Sequence, residues 1–156
     1  MNLKNSPIES RFSFPVTLTT DEVDGGFTVT FRDLPEAITQ AENIEDALDE
    51  AADCLEEAIA NRVIRRLPIP FPSKPANREY MVTTPLQTSF KASIWLAMQE
   101  KNFDRTQLAN ALNIEEKEVK RILNPSHNTK LGTLERSLFA LGKRPILEVG
   151  DLMYET

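Results

Sequence analysis

The sequence predicts an α+β protein of two modules, a small β-sheet with one long helix followed by an all-α bundle. Three observations carry that prediction. Large apolar residues alternate with polar ones at Phe12, Phe14, Val16, Leu18 and again at Phe27, Val29, Phe31, the period of half-buried strands. From Ile44 to about Arg62 the apolar residues recur three and four apart, the period of an amphipathic helix. From Arg105 to Ile122 (RTQLANALNIEEKEVKRI), small, turn-compatible and apolar residues are spaced as two short helices crossing at a tight turn require.

The first strand spans Arg11 to Thr19, and Pro15 within it predicts an edge position or a bulge, because proline cannot donate to a ladder. DEVDGG then turns the chain, its paired glycines permitting positive φ, and Phe27 to Phe31 closes a hairpin. After the DLPE turn, Ala37 to Glu42 is a short third strand. Asn43 is placed to cap the helix from Ile44, in an imperfect capping box with Asp46. That helix puts Ile44, Ala47, Leu48, Ala51, Leu55, Ala58 and Ile59 on one face and a dense set of acids on the other, which serves either as solvated surface or as a partner surface. Four prolines lie between Pro68 and Pro75, so the connection over about residues 67–78 is extended, and Tyr80 to Thr84 returns to the sheet. The domains are therefore residues 1–84 and 85–156.

In the second domain a helix runs from about Thr88 to Lys101. Asp104 caps the next, Arg105 to Leu112, where Ala109 supplies a small side chain at the close approach of two helices and Asn113 tolerates the left-handed turn. Glu115 opens a helix through Leu123, with Val119 and Ile122 on its inner face, and a last helix spans about Lys130 to Leu141, ended by Gly142. In a helix-turn-helix the second helix enters the major groove. The candidate DNA-binding residues are Glu116, Lys117, Lys120 and Arg121 on that helix, with Thr106 and Gln107 at the start of the one before it. Asn124, Ser126, His127, Asn128 and Lys130 in the following loop are placed for phosphates. The alternative is that these are ordinary solvated residues of a bundle.

Charge divides along the same boundary. Residues 1–80 hold 8 Lys and Arg against 15 Asp and Glu, whereas residues 81–156 hold 10 against 9. The second module has the balance that phosphate attraction needs, and the field of the first attracts a basic protein. The longest apolar runs are too short to span a bilayer, MNLKNSPIESRF lacks an apolar export core, and one cysteine forms no internal disulfide, so a reducing cytoplasm is expected. Cys54 reads as a small hydrophobe.

Catalysis finds little support. Divalent-metal phosphodiester chemistry needs converging carboxylates, and the first two strands contain no Asp or Glu; the acids are dispersed over turns and one helix face. No glycine-rich phosphate loop, CxxC pair or nucleophile elbow occurs, and His127, the only histidine, has Ser126 and Asn128 as neighbours. No catalytic residue, metal site or cofactor is expected.

The stretch FPVTLTTDEVDGGFTVTFRDLPEAITQAENIEDALDEAADCLEEAI, with its hairpin, FxDLPEAxTQ turn and acidic helix in order, resembles the HicB antitoxins of bacterial toxin-antitoxin systems, and the C-terminal part resembles their helix-turn-helix subtype. The resemblance implies a partial RNase H-like fold without catalytic acids, and a small basic HicA-type mRNA interferase as partner. It further implies operator DNA as second ligand, with homodimers or higher oligomers. Asp33, Leu34, Pro35 and Glu36 are the candidate toxin-binding residues, or else simply a structural turn. Arg32 stands where the family more often has proline, Asn113 replaces the usual glycine of the helix-turn-helix motif, and the tail EVGDLMYET is extra to the pattern. The rival functions are a regulator whose first domain senses a small ligand, and a nuclease.

Overall fold

A computed structural model describes residues 10–151. The N-terminal residues before Ser10 and the last residues of the tail lie outside the described residues. The elements are β1 (Ser13–Thr20), β2 (Phe27–Thr30), β3 (Ile38–Ala41), α1 (Ile44–Ile64), β4 (Glu79–Thr83), α2 (Leu86–Lys101), α3 (Arg105–Leu112), α4 (Glu116–Leu123) and α5 (Leu131–Ala140). The α+β class predicted from the periodicities is the one found. By contacts the chain separates into two compact units, one holding the described residues through Leu55 with Pro70–Thr84, the other Glu56–Ile69 with the residues from Pro85 on.

In the first unit an antiparallel sheet has the order β3-β2-β1-β4. The expectation for Pro15 needs correction, because β1 is a central strand. The physical reason proline is tolerated there lies in the register. The β2 ladder covers only Thr17–Thr20, while Pro15 stands opposite Met81 of β4. Thr84 N–H donates to the Phe12 carbonyl at 2.8 Å, which phases the β4 ladder onto even-numbered β1 residues. Pro15 nitrogen thus faces the side where β2 is absent, and no ladder bond is lost.

Phe14, Val16, Val29 and Phe31 are fully or almost fully buried, as the alternation requires, with each large apolar side chain contributing roughly 1.5–3 kcal/mol. Leu18, at the far end of β1, is only half-buried. Asp21 closes the hairpin loop: its N–H donates to the Gly26 carbonyl, and its carboxylate accepts the Val23 and Asp24 N–H groups at 2.9 and 3.1 Å. Those backbone donors hold the Asp21 carboxyl below its ordinary range. Gly26 adopts φ +78° in this loop, where a Cβ would lie 2.5 Å from the Ala41 carbonyl oxygen.

Asn43 caps α1 by accepting the Asp46 N–H at 2.9 Å, and its amide donates to the Asp46 carboxylate at 2.6 Å, so the imperfect box closes side chain to side chain. Ala47, Ala51 and Leu55 are buried, while Ile44, assigned to the apolar stripe by its spacing, is 44% exposed because it lies in the first turn. The helix ends two residues later than predicted, with Arg66 at φ 56° and the Leu67 N–H bonded to the Arg62 carbonyl.

In the second unit α2 to α5 pack around Ile94, Met98, Leu108, Val119, Leu134 and Leu141. The bundle begins at Leu86, a half-turn earlier than the apolar pattern suggested. Asp104 and Gln107 form a reciprocal capping box at the start of α3. Asn113 ends α3 in the left-handed region predicted for it, at φ 55°, and the Ile114 N–H returns to the Ala109 carbonyl at 3.0 Å. Ala109 is buried at that close approach.

Candidate nucleic-acid interface and partner surface

Two eight-residue helices, α3 and α4, are joined by Asn113–Glu115 and pack through Leu108, Ala109, Val119 and Ile122. Because Val119 and Ile122 occupy the inner face of α4, the helical period leaves Glu116, Lys117, Lys120 and Arg121 on the outer one, and all four are exposed. Thr106, Gln107, Asn124, His127, Asn128 and Lys130 are exposed as well. The bundle therefore presents every predicted DNA-binding position to solvent on α3, α4 and the loop that follows.

Several of these side chains are already engaged. Thr106 hydroxyl donates to the Glu116 carboxylate at 2.6 Å, tying the start of α3 to the start of α4. Gln107 uses its carbonyl oxygen in the cap and keeps its amide donors. Lys117 pairs with Glu115 at 3.2 Å and Arg121 with Glu118 at 2.9 Å. Exposed pairs of this kind are worth about 0–1 kcal/mol, less than a phosphate contact gains by counterion release, so either cation can change partner. Lys120 and Lys130 form no ion pair among the described residues.

A buried lysine with no sequence signal lies behind this region. Lys91 of α2 is fully buried, and its ammonium donates to the Arg121 carbonyl at 3.1 Å, the Asn124 carbonyl at 2.8 Å and the Thr129 hydroxyl at 2.8 Å. Burial pushes its pKa down to about 8. The pattern gave no hint of it, since its three acceptors lie 30 or more residues away along the chain.

In the first unit the four candidate turn residues separate. Leu34 is fully buried, so its side chain belongs to the core and not to a surface. Asp33 is half-buried and accepts both the Ser73 N–H at 2.8 Å and the Ser73 hydroxyl at 2.6 Å, clamping the turn to the proline-rich connection. Pro35 and Glu36 are exposed. Arg32, the residue that departs from proline, donates to the Glu79 carboxylate at 3.0 Å and to the Lys74 carbonyl at 2.5 Å. Glu79 is held below the usual carboxylate range, first by the Ala76 N–H and then by Arg32, against the opposing effect of burial.

Two open depressions of about 480 and 400 Å³ share Gln40, Ala41 and Glu42 at the end of β3. Asp21 and Asp24 of the hairpin loop line the first, and Asp46, Asp49 and Glu50 of α1 line the second. The β2–β3 pairing, in register from Phe27↔Ala41 to Thr30↔Ile38, is what carries the loop acids to the start of the helix. Among the described residues no group of three or more His, Cys, Asp or Glu side chains is arranged to hold a metal ion, and no helix is long and apolar enough to cross a membrane.

Residues 13–93 match a family model described as the HicB-like antitoxin of bacterial toxin-antitoxin systems. The chain is 34% identical over 136 residues to Antitoxin HicB 1 of Photorhabdus laumondii subsp. laumondii, covering 87% of this chain and 86% of that protein. It is 32% identical over 130 residues to Antitoxin HicB of Escherichia coli K12, covering 83% and 94%, and 28% identical over 137 residues to Antitoxin HicB of Pseudomonas fluorescens, covering 87% and 94%.

Proposed function

From the premise that the chain belongs to the HicB-like antitoxin family, we propose that it neutralises a small basic ribonuclease of the HicA type and represses the operon encoding the pair. Residues 1–84 hold the toxin, and residues 85–156 hold operator DNA. The protein acts by occlusion and carries out no reaction of its own.

The observation that carries the reading is the grouping of charge. Asp21, Asp24, Glu42, Asp46, Asp49 and Glu50 gather around the end of β3, which suits a partner whose own RNA-binding face is basic. Complementary charge raises the rate of encounter and fixes the docked register, and a toxin held on this surface has its RNA-binding face covered. Pro35 and Glu36 extend the surface at the other end of β3, while Asp33 and Leu34 hold the turn in shape.

On the second unit, Lys117, Lys120, Arg121 and Lys130 supply phosphate and guanine contacts. Glu116, oriented by Thr106, accepts from cytosine N4, and Thr106, Gln107, Asn124, His127 and Asn128 contribute neutral hydrogen bonds. One such module covers one half-site, so a homodimer or higher oligomer reads the operator. The pair is expected in the bacterial cytoplasm, on the nucleoid when DNA is bound.

Three measurements test the two halves separately. Glu42→Lys with Glu50→Lys abolishes rescue of growth when the chain is co-expressed with the basic protein of the neighbouring reading frame; full rescue by the double variant refutes the toxin assignment. A pull-down that recovers no basic protein favours a ligand-sensing regulator instead. Lys117→Ala with Lys120→Ala weakens operator binding and lowers its salt slope by about one for each lost phosphate contact, and an unchanged affinity refutes the DNA assignment.

A further inference from the structure

Lys91 lies midway along α2, behind the α4 surface and the loop assigned to DNA, and its side chain is fully buried. An ammonium is stable in such a place only when its donors are taken, and here three partners take them. Two are carbonyls at the C-terminal end of α4, those of Arg121 and the cap residue Asn124; each also accepts one backbone N–H and has a lone pair left for the ammonium, and the helix dipole there attracts a cation. The third is the hydroxyl of Thr129, at the far side of the Asn124–Lys130 loop.

Gln87, one turn earlier on α2, repeats the link. Its amide donates to the Thr129 carbonyl at 2.7 Å, and its own carbonyl accepts the Thr129 N–H at 3.2 Å. One face of α2 therefore grips both ends of the loop, while His127 and Asn128 between them stay exposed. An apolar side chain of similar volume fills the same space without desolvating a charge, so simple packing does not account for a lysine here.

Resting on the assignment of operator DNA to this unit, we propose that Lys91, with Gln87, is a positioning residue of the DNA interface: it fixes the Asn124–Lys130 loop against α4 so that base-facing and phosphate-facing residues engage one stretch of duplex together. Lys91 itself touches no DNA. Its loss leaves the surface charge outside the bundle unchanged, so affinity for duplex of any sequence survives while discrimination between sequences falls.

The test uses the full chain and Lys91→Met, with two duplexes of equal length, one spanning the segment upstream of the chain's own reading frame and one of random sequence. The variant binds the upstream duplex roughly tenfold more weakly, and the random duplex within about twofold of the parent. Amide hydrogen exchange at His127 and Thr129 accelerates by roughly tenfold or more in the free protein. Undiminished affinity for the upstream duplex, or unchanged exchange at both amides, overturns the proposal. If Lys91→Met does not fold, Thr129→Val removes one acceptor and moves both readouts the same way, and Thr129→Ser restores them; no movement in Thr129→Val overturns it equally. A parent chain that binds both duplexes alike sinks the DNA assignment and this proposal with it, and the exchange data then report separately whether the clamp holds the loop.

Discussion

Replacing Asp33 by alanine separates a structural role of the DLPE turn from a contact role. Asp33 accepts two short hydrogen bonds, from the Ser73 N–H at 2.8 Å and the Ser73 hydroxyl at 2.6 Å, across 40 residues of chain. Hydrogen bonds to a charged group are each worth about 1.5–3 kcal/mol when buried, and partial exposure lets water replace part of that, so about 2 kcal/mol is lost in total. With a urea slope of about 2 kcal/mol per molar, the midpoint falls by about 1 M. Amide hydrogen exchange along β1 and β2 follows the sheet-bearing unit, while the fluorescence of Trp95, the only tryptophan, follows the helical one. Asp33→Asn keeps one acceptor and loses about half as much. A double-mutant cycle with Ser73→Ala isolates the hydroxyl bond, and a coupling of about 1 kcal/mol is expected. A midpoint shift below about 0.2 M for Asp33→Ala refutes the reasoning, because the two bonds then add nothing over hydration. Were neutralisation lost without any such shift, Asp33 would belong to the toxin contact itself.

Other expectations follow from single sites. Gly26→Ala forces a Cβ to 2.5 Å from the Ala41 carbonyl at φ +78°, so unit stability falls by about 2 kcal/mol or more; a change within about 0.5 kcal/mol contradicts the loop geometry. Lys91 has its pKa lowered from 10.5 to about 8, so between those values the unfolded chain binds the proton and the folded chain does not. Stability relative to Lys91→Met therefore rises as pH increases through that window and is flat below it, and parallel denaturation curves for the two proteins from pH 7 to 10.5 contradict the burial. The Glu79 carboxyl is depressed by the Ala76 N–H and by Arg32, so its contribution is present above its ordinary pKa of 4.5 and is lost as pH falls through the lower folded value. Arg32→Ala narrows that acid-sensitive window in a pH titration of the melting temperature, and an unaltered titration contradicts the assignment.

What the sequence reveals here depends on the range of the interaction. The strands, α1 and the four helices of the second unit are legible because each is set by a local period and a local terminator, such as Asn43, Asp104 and Asn113. The outer face of α4 is legible for the same reason, since Val119 and Ile122 define its inside. Strand order is not local, and so Pro15 reads as an edge residue although β4 returns beside it from more than 60 residues away. Lys91 carries no local signal, and only the fold brings α4 and the loop to its ammonium. The gathering of Asp21, Asp24 and Glu42 beside the first turns of α1 likewise waits on the β2–β3 pairing.

Three helices end in a left-handed residue that is not glycine: Arg66 after α1, Asn102 after α2 and Asn113 after α3. Each side chain there adds strain of up to about 1–2 kcal/mol that glycine avoids, with asparagine at the lower end. The fold thus sits below the stability its own backbone permits, by an amount comparable to a fair part of the 5–15 kcal/mol that holds a typical domain together. Such a chain visits open states more often than a glycine-terminated version, and open states are what cellular proteases cut. The rate at which the folded chain opens is then written partly into three helix ends, whose left-handed residues lie outside either core.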